Sequence, residues 1–254
     1  MARDSKRTDG YSHSIISRTC VSFDFLSGPV IPSGDRRGSV MVAGDVVLKF
    51  ENSIIPQETY YWCGPATMQV LLRIRGISVT EKYMADQLGT TVNGTDTILY
   101  LARELNERVG DLYRIVQVAD PPSRAAKDAF FAAVKHSVDA GFGVGANIIA
   151  PPSNPPRPTR GEPLRGYGSS TIYHYLSIVG YNETTREIAI ADSGFSPYFY
   201  WVNADAFLSV IAGKGYTWAA NAKSTNEFLG SLTDAQQQKV LAAAIQVGEP
   251  HRGV

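Results

Sequence analysis

Apolar residues at Ala66, Val70, Leu71 and Ile74 fall on one face of a helix, and Pro65 suits its first turn. A second short helix fits "VTEKYMADQLG", ending at Gly89. Ile98, Leu101, Ala102 and Leu105 mark a third, with Thr95 or Asp96 as its cap. "DLYRIVQVA" then alternates as a strand, "SRAAKDAFFAAVKHSVDAG" is helical, and the apolar run "GVGANIIA" reads as a buried strand. Strands follow at "TIYHYLSIVGYN", "REIAIADSG" and "PYFYWV", then a helix at "NADAFLSVIAG" and a last strand at "GYTWAA". Helices come first and a mostly antiparallel sheet second, an α+β plan.

The ends depart from this pattern. Residues 1–44 are polar and turn-rich and form an N-terminal extension, ahead of a short strand at "DVVLKF" and a loop at "ENSIIPQ". The domain is expected over 45–220. A helical tail covers 221–254, with Thr233 as N-cap and Gln236 completing a capping box. Inside the domain, "PPSNPPRPTRGEPLRGYGSS" excludes both helix and central strand. Two readings of it stay open: a disordered insertion, or a surface loop flanking a cleft.

Composition narrows the function. The 254 residues are 44% hydrophobic, enough for a sizeable core, and 24 Lys+Arg balance 24 Asp+Glu. No field therefore steers the chain toward nucleic acid or anionic lipid. No run approaches the roughly 18 consecutive apolar residues of a membrane span, and the first residues do not form a secretory signal. The two cysteines make neither a disulfide framework nor a zinc site, so no metal or cofactor is expected.

The chemistry gathers at "QETYYWCGPATMQVLL". A thiol attacks as thiolate, and Cys63 stands where a helix N-terminus lowers its pKa. Its own N–H and the amide of Gln57 can serve a developing oxyanion, and Gly64 leaves room for a substrate. Among the histidines, His13 and His251 lie in tails and His136 within a helix, whereas His174 opens an apolar strand after the proline-rich segment. If "NETTR" turns the chain near Thr184, Leu176 lies opposite Asp192, and His174 and Asp192 become diagonal neighbours on one face. A carboxylate there would orient the imidazole. A one-residue slip breaks that pairing.

"QETYYWCGPA", "YHYLSIVGYN" and "IAIADSGFSPY" together resemble the bacteriocin-leader-peptidase-like branch of the papain superfamily, over about Gln57 to Trp218. The resemblance implies a papain-like cysteine peptidase fold, with Cys63 as nucleophile, His174 as base, Asp192 as its orienter and Gln57 at the oxyanion. A narrower likeness joins "YYWCGPA", "IIAPPSNPPRP", "YHY" and "ADSGFSPYFYW" to the peptidase domain of lysin A endolysins from phages of actinobacteria. That likeness implies cleavage of peptide bonds in host peptidoglycan. It also implies synthesis in the host cytoplasm and passage to the wall through a holin pore. Such lysins often carry further domains, so two readings stay open: a separate amidase or wall-binding lysin subunit is a partner, or the chain is a fragment of a longer lysin.

Tyr61, Trp62, Gly64 and Tyr173 are expected to contact the substrate. Tyr60 and the proline-rich segment would border it, and Arg157, Arg160 or Arg165 would bind a stem-peptide carboxylate. Three classes stay open: an endolysin peptidase, a processing peptidase that cuts double-glycine leader peptides, and an inactive binding module.

Overall fold

A computed structural model describes residues 41–223, 230–237 and 239. Within these, β1 (Asp45–Val47) and a 3₁₀ turn (Asn52–Ile54) lead into α1 (Cys63–Ile74), α2 (Glu81–Leu88) and α3 (Ile98–Val109). Then come β2 (Arg114–Gln117), α4 (Arg124–Asp139), β3 (Val144–Ala150), β4 (Ile172–Asn182) and β5 (Glu187–Ala191). β6 (Phe199–Asn203), α5 (Ala204–Ile211) and β7 (Gly215–Trp218) complete the order. The ends of the helices follow local chemistry. The Thr80 hydroxyl accepts from Tyr83 N–H ahead of α2, and Gly89 closes that helix at φ 62°, a conformation with little cost for glycine. At α3 the cap is Thr97, whose hydroxyl accepts from Leu99 N–H, and not Thr95 or Asp96. Thr95 is buried instead, with its hydroxyl bonded to that of Thr90 at 2.7 Å.

Among the described residues the strands form one sheet in the order β2-β7-β3-β4-β5-β6, every pair antiparallel. β4 lies at its centre. Along one edge it pairs with β3 over Ile172 to Ile178 and with β1 over Gly180 to Asn182, and β5 takes the other edge. On one face Tyr175 packs with Met68, Leu71 and Leu72 of α1, and Val179 with Val70. On the opposite face Leu176, Ile178 and Ile190 bury against Phe130 and Val134 of α4 and Phe207 and Leu208 of α5. The sheet is thus covered on both faces, which accounts for the apolar runs of β3 and β4.

The β4–β5 register positions the site. Near the turn Asn182 pairs with Glu187 and Gly180 with Ala189, but Ile178 pairs with Ile190 and Ser177 with Ala191. A bulge at Val179 makes the one-residue change. Leu176 is thereby brought opposite Asp192, as the sequence reading assumed. Had the register of the turn continued, Leu176 would face Ser193 and Asp192 would point to the face of α1.

The proline-rich segment is an ordered strap along the free edge of β6. Pro158 bridges Val202, Thr159 N–H donates to Trp201 O at 2.9 Å, and Trp201 N–H donates to Glu162 Oε1 at 2.9 Å. Prolines cannot donate, so the non-proline residues make these bonds, and an otherwise open sheet edge is covered. Arg160 anchors the strap. Buried at 6% exposure, it forks onto Asp45 (2.7 and 2.9 Å) and Glu187 (2.7 and 3.1 Å) and lies 3.7 Å over the Trp201 ring. It is therefore not available to a stem-peptide carboxylate, contrary to the expectation from sequence; Arg157 and Arg165 are exposed.

Toward the C-terminus the capping box forms, Gln236 Oε1 accepting from Thr233 N–H at 2.9 Å and Thr233 Oγ1 from Gln236 N–H at 3.4 Å. The extension expected over 1–44, apart from residues 41–44, lies outside the described residues, as do Cys20, His13, His251 and most of the tail.

Candidate active site

Cys63 is the first residue of α1, so the helix itself supplies no acceptor for its N–H. Cys63 is 8% exposed, and its thiol is under the influence of the His174 imidazole. β5 ends at Ala191, and at that open end of the sheet the thiol from the α1 layer meets the imidazole. Burial opposes the thiolate, but the bond and charge of His174, with the Tyr175 and Gly64 N–H groups, outweigh it and hold the thiol below its ordinary range.

His174 is 4% exposed, and its Nε2 lies 2.8 Å from Asp192 Oδ1, leaving Nδ1 for Cys63. Burial disfavours the imidazolium, yet the charge and hydrogen bond of Asp192, helped by Cys63, push its pKa up to about 10. Asp192 is fully buried and accepts from every side. Gly194 N–H reaches Oδ1 at 3.0 Å, and the Tyr167 and Tyr200 hydroxyls each reach Oδ2 at 2.8 Å. Burial would raise this carboxyl, but His174 and the two tyrosines keep it below its usual value.

Gln57 reaches the same place through Ser193. Its N–H donates to Ser193 O at 3.0 Å, its Oε1 accepts from the Ser193 hydroxyl at 2.9 Å, and its Nε2 donates to Thr59 O at 2.7 Å. One amide hydrogen remains for an incoming oxyanion. A Cβ on Gly194 would stand 2.9 Å from His174 Cε1 and 3.5 Å from Gln57 Oε1, so the glycine separates the two side chains. The next residue, Glu58, donates its N–H to Glu81 Oε2 at 3.0 Å, and burial pushes that carboxyl up to about 7.

The rim differs in one respect from the sequence reading. A Cβ on Gly64 would come 2.9 Å from Thr95 Cβ, so Thr95 fills the space expected for substrate. Tyr60 is 83% exposed, with Tyr61 edge-on to it at 4.9 Å and Trp62 edge-on to Tyr61 at 6.1 Å. Tyr173, two residues before the buried Tyr175, is 67% exposed with Lys214 5.6 Å from its ring centroid. Phe195 closes over the pair, its ring 5.4 Å from His174 and 4.2 Å from Tyr167. His136 sits apart on α4, edge-on to Trp218. Among the described residues no His, Cys, Asp and Glu cluster of metal-binding size occurs.

Sequence reasoning missed Tyr167, Ser193, Phe195 and Tyr200. Only Tyr200 left a usable signal, because it pairs with Ile190 and so falls diagonally from Asp192 on the same face.

A thiol at a helix N-terminus, an imidazole on a facing strand and a carboxylate behind it, on an α+β fold, define a papain-like cysteine peptidase. The comparisons narrow the class: the Peptidase_C39 like family matches residues 49–224, and the chain belongs to that family. Among solved structures it is similar to the peptidase domain of Streptococcus ComA, described as a bi-functional ABC transporter involved in a quorum sensing pathway. Identity there is 16% and the TM-score 0.40, over 63% of this chain and 93% of that one. No curated protein matches the chain.

Proposed function

We propose that this cysteine peptidase is an endolysin of the lysin A type, hydrolysing peptide bonds in the peptidoglycan of an actinobacterial host. His174 Nε2 on Asp192 at 2.8 Å, with the imidazole favouring the Cys63 thiolate, carries the catalytic reading. Cys63 Sγ attacks the scissile carbonyl, and the oxyanion takes hydrogen bonds from Cys63 N–H and the free amide hydrogen of Gln57. His174 gives a proton to the leaving amine. It then takes one from water, whose oxygen displaces the thiolate from the acyl group. The likeness of "YYWCGPA" and "ADSGFSPYFYW" to lysin A peptidase domains supports the substrate. The exposed aromatic rim and Arg157 and Arg165 on the strap suit a short peptide with a free carboxylate. In this reading the enzyme passes to the wall through a holin pore.

Purified protein is expected to release new amino groups, and no new reducing ends, from isolated mycolata-type peptidoglycan, and Cys63→Ala protein to release none. Mass spectrometry of the fragments identifies the bond. Peptidoglycan left intact while a double-glycine leader peptide is cut would replace this reading with that of a processing peptidase.

A further inference from the structure

Asp192 Oδ2 takes no part in the bond to His174, yet it receives two phenol hydroxyls at 2.8 Å. They come from separate elements. Tyr200 lies on β6 and is fully buried, whereas Tyr167 comes from the strap, 25 residues before Asp192. The strap's other anchors go elsewhere: Thr159 to Trp201 O, Arg165 N–H to Ser196 O at 3.0 Å, and Arg160 to Asp45 and Glu187. Tyr167 is the strap residue that reaches the His174–Asp192 pair by a hydrogen bond. Its approach is shaped by Gly166, at φ +99°, where a Cβ would stand 2.8 Å from Phe195 Cε1. Burial and the Asp192 charge hold both phenols protonated far above neutral pH, so each stays a donor.

We infer that Tyr167 and Tyr200 are positioning residues: by occupying Oδ2 they hold the Asp192 carboxylate with Oδ1 toward His174 Nε2, so the reactive pair is complete only with the strap docked. The chemistry is that of a buried carboxylate whose lone pairs are all used. With Gly194 N–H and His174 on one oxygen and two hydroxyls on the other, it has no favourable turn left. Remove one hydroxyl and Oδ2 keeps a single phenol, so one lone pair is unfilled and the carboxylate can turn, which weakens its hold on His174. The titratable groups bearing on His174 are Asp192 and Cys63, and those bearing on Asp192 are His174, Tyr200 and Tyr167.

The test needs no peptide substrate. Iodoacetate is an anion, so its reaction with the Cys63 thiolate is favoured by an imidazolium alongside and declines as His174 loses its proton. In the unaltered protein that alkaline decline is expected near pH 10, where His174 titrates. Tyr167→Phe keeps the ring on Phe195 and removes only the hydroxyl. It should move the decline down by roughly one pH unit, with Tyr200→Phe doing the same and thermal melting confirming a folded protein. In an Asp192→Ala background Tyr167→Phe should add nothing, because there is no carboxylate left to hold.

A decline that stays in place or moves up in Tyr167→Phe would overturn the positioning role, since the phenols would then do no more than screen the charge. So would an equal shift in both backgrounds. The inference rests on Cys63 and His174 forming the reactive pair, and the same profile tests that separately. A monotonic rise with pH in the unaltered protein, with no decline, undoes the pair itself.

Discussion

At Cys63 two influences oppose each other: burial disfavours the thiolate, and His174 with the Tyr175 and Gly64 N–H groups favours it and prevails. The sign of a pH effect follows. His174→Ala removes the bond and charge that lower the thiol and leaves burial in force, so the pH at which Cys63 becomes reactive should move up. Iodoacetamide alkylation measured against pH by intact mass checks this; an unchanged acid limb would mean that His174 does not set the thiolate. The placement of Cys63, His174 and Asp192 beside one another was legible from a helix start, a strand start and a hairpin register, and that of Gln57 from its spacing before Cys63. Tyr167, Ser193 and Phe195 were not, since their roles come from contacts that spacing does not encode. Gly64 was legible as a close approach but not as to its partner, which is Thr95.

At the scale of elements, the helices and strands follow from periodicity, and the differences lie in connections. The α3 cap moved to Thr97 because Thr95 is drawn inward to Thr90 and Gly64. No residue pattern announces the bulge at Val179, although it is what turns Asp192 toward His174. The strap read as either disorder or a cleft-side loop because its prolines carry no period; its order comes from β6 and from Arg160. Arg160→Met would leave Asp45 and Glu187 buried without their cation, and should lower the unfolding free energy by about 3–5 kcal/mol, read from urea midpoints. Both carboxyls are held below their ordinary values against the pull of burial, the Arg160 bond leading the lowering influences. The contribution of the cluster is therefore full above the unfolded carboxylate range and fades as pH falls through the lowered folded values. The deficit of the variant should shrink on acidification. A deficit independent of pH would contradict the ion-pair account.

For the molecule as a whole, the described residues make one sheet between two helical layers, with the Cys63 thiol delivered from one layer and the His174–Asp192 pair from β4 and the end of β5. Among them no helix is long and apolar enough to cross a membrane. Balanced charge leaves recognition to contacts near the thiol rather than to long-range attraction. The central claim is that Cys63 is the nucleophile, and the chain's other cysteine supplies an internal reference. Iodoacetamide at neutral pH, followed by peptide mapping, should modify Cys63 well before Cys20, with peptidase activity lost in proportion to Cys63 labelling. Equal labelling of the two cysteines, or activity that survives complete modification of Cys63, would contradict it.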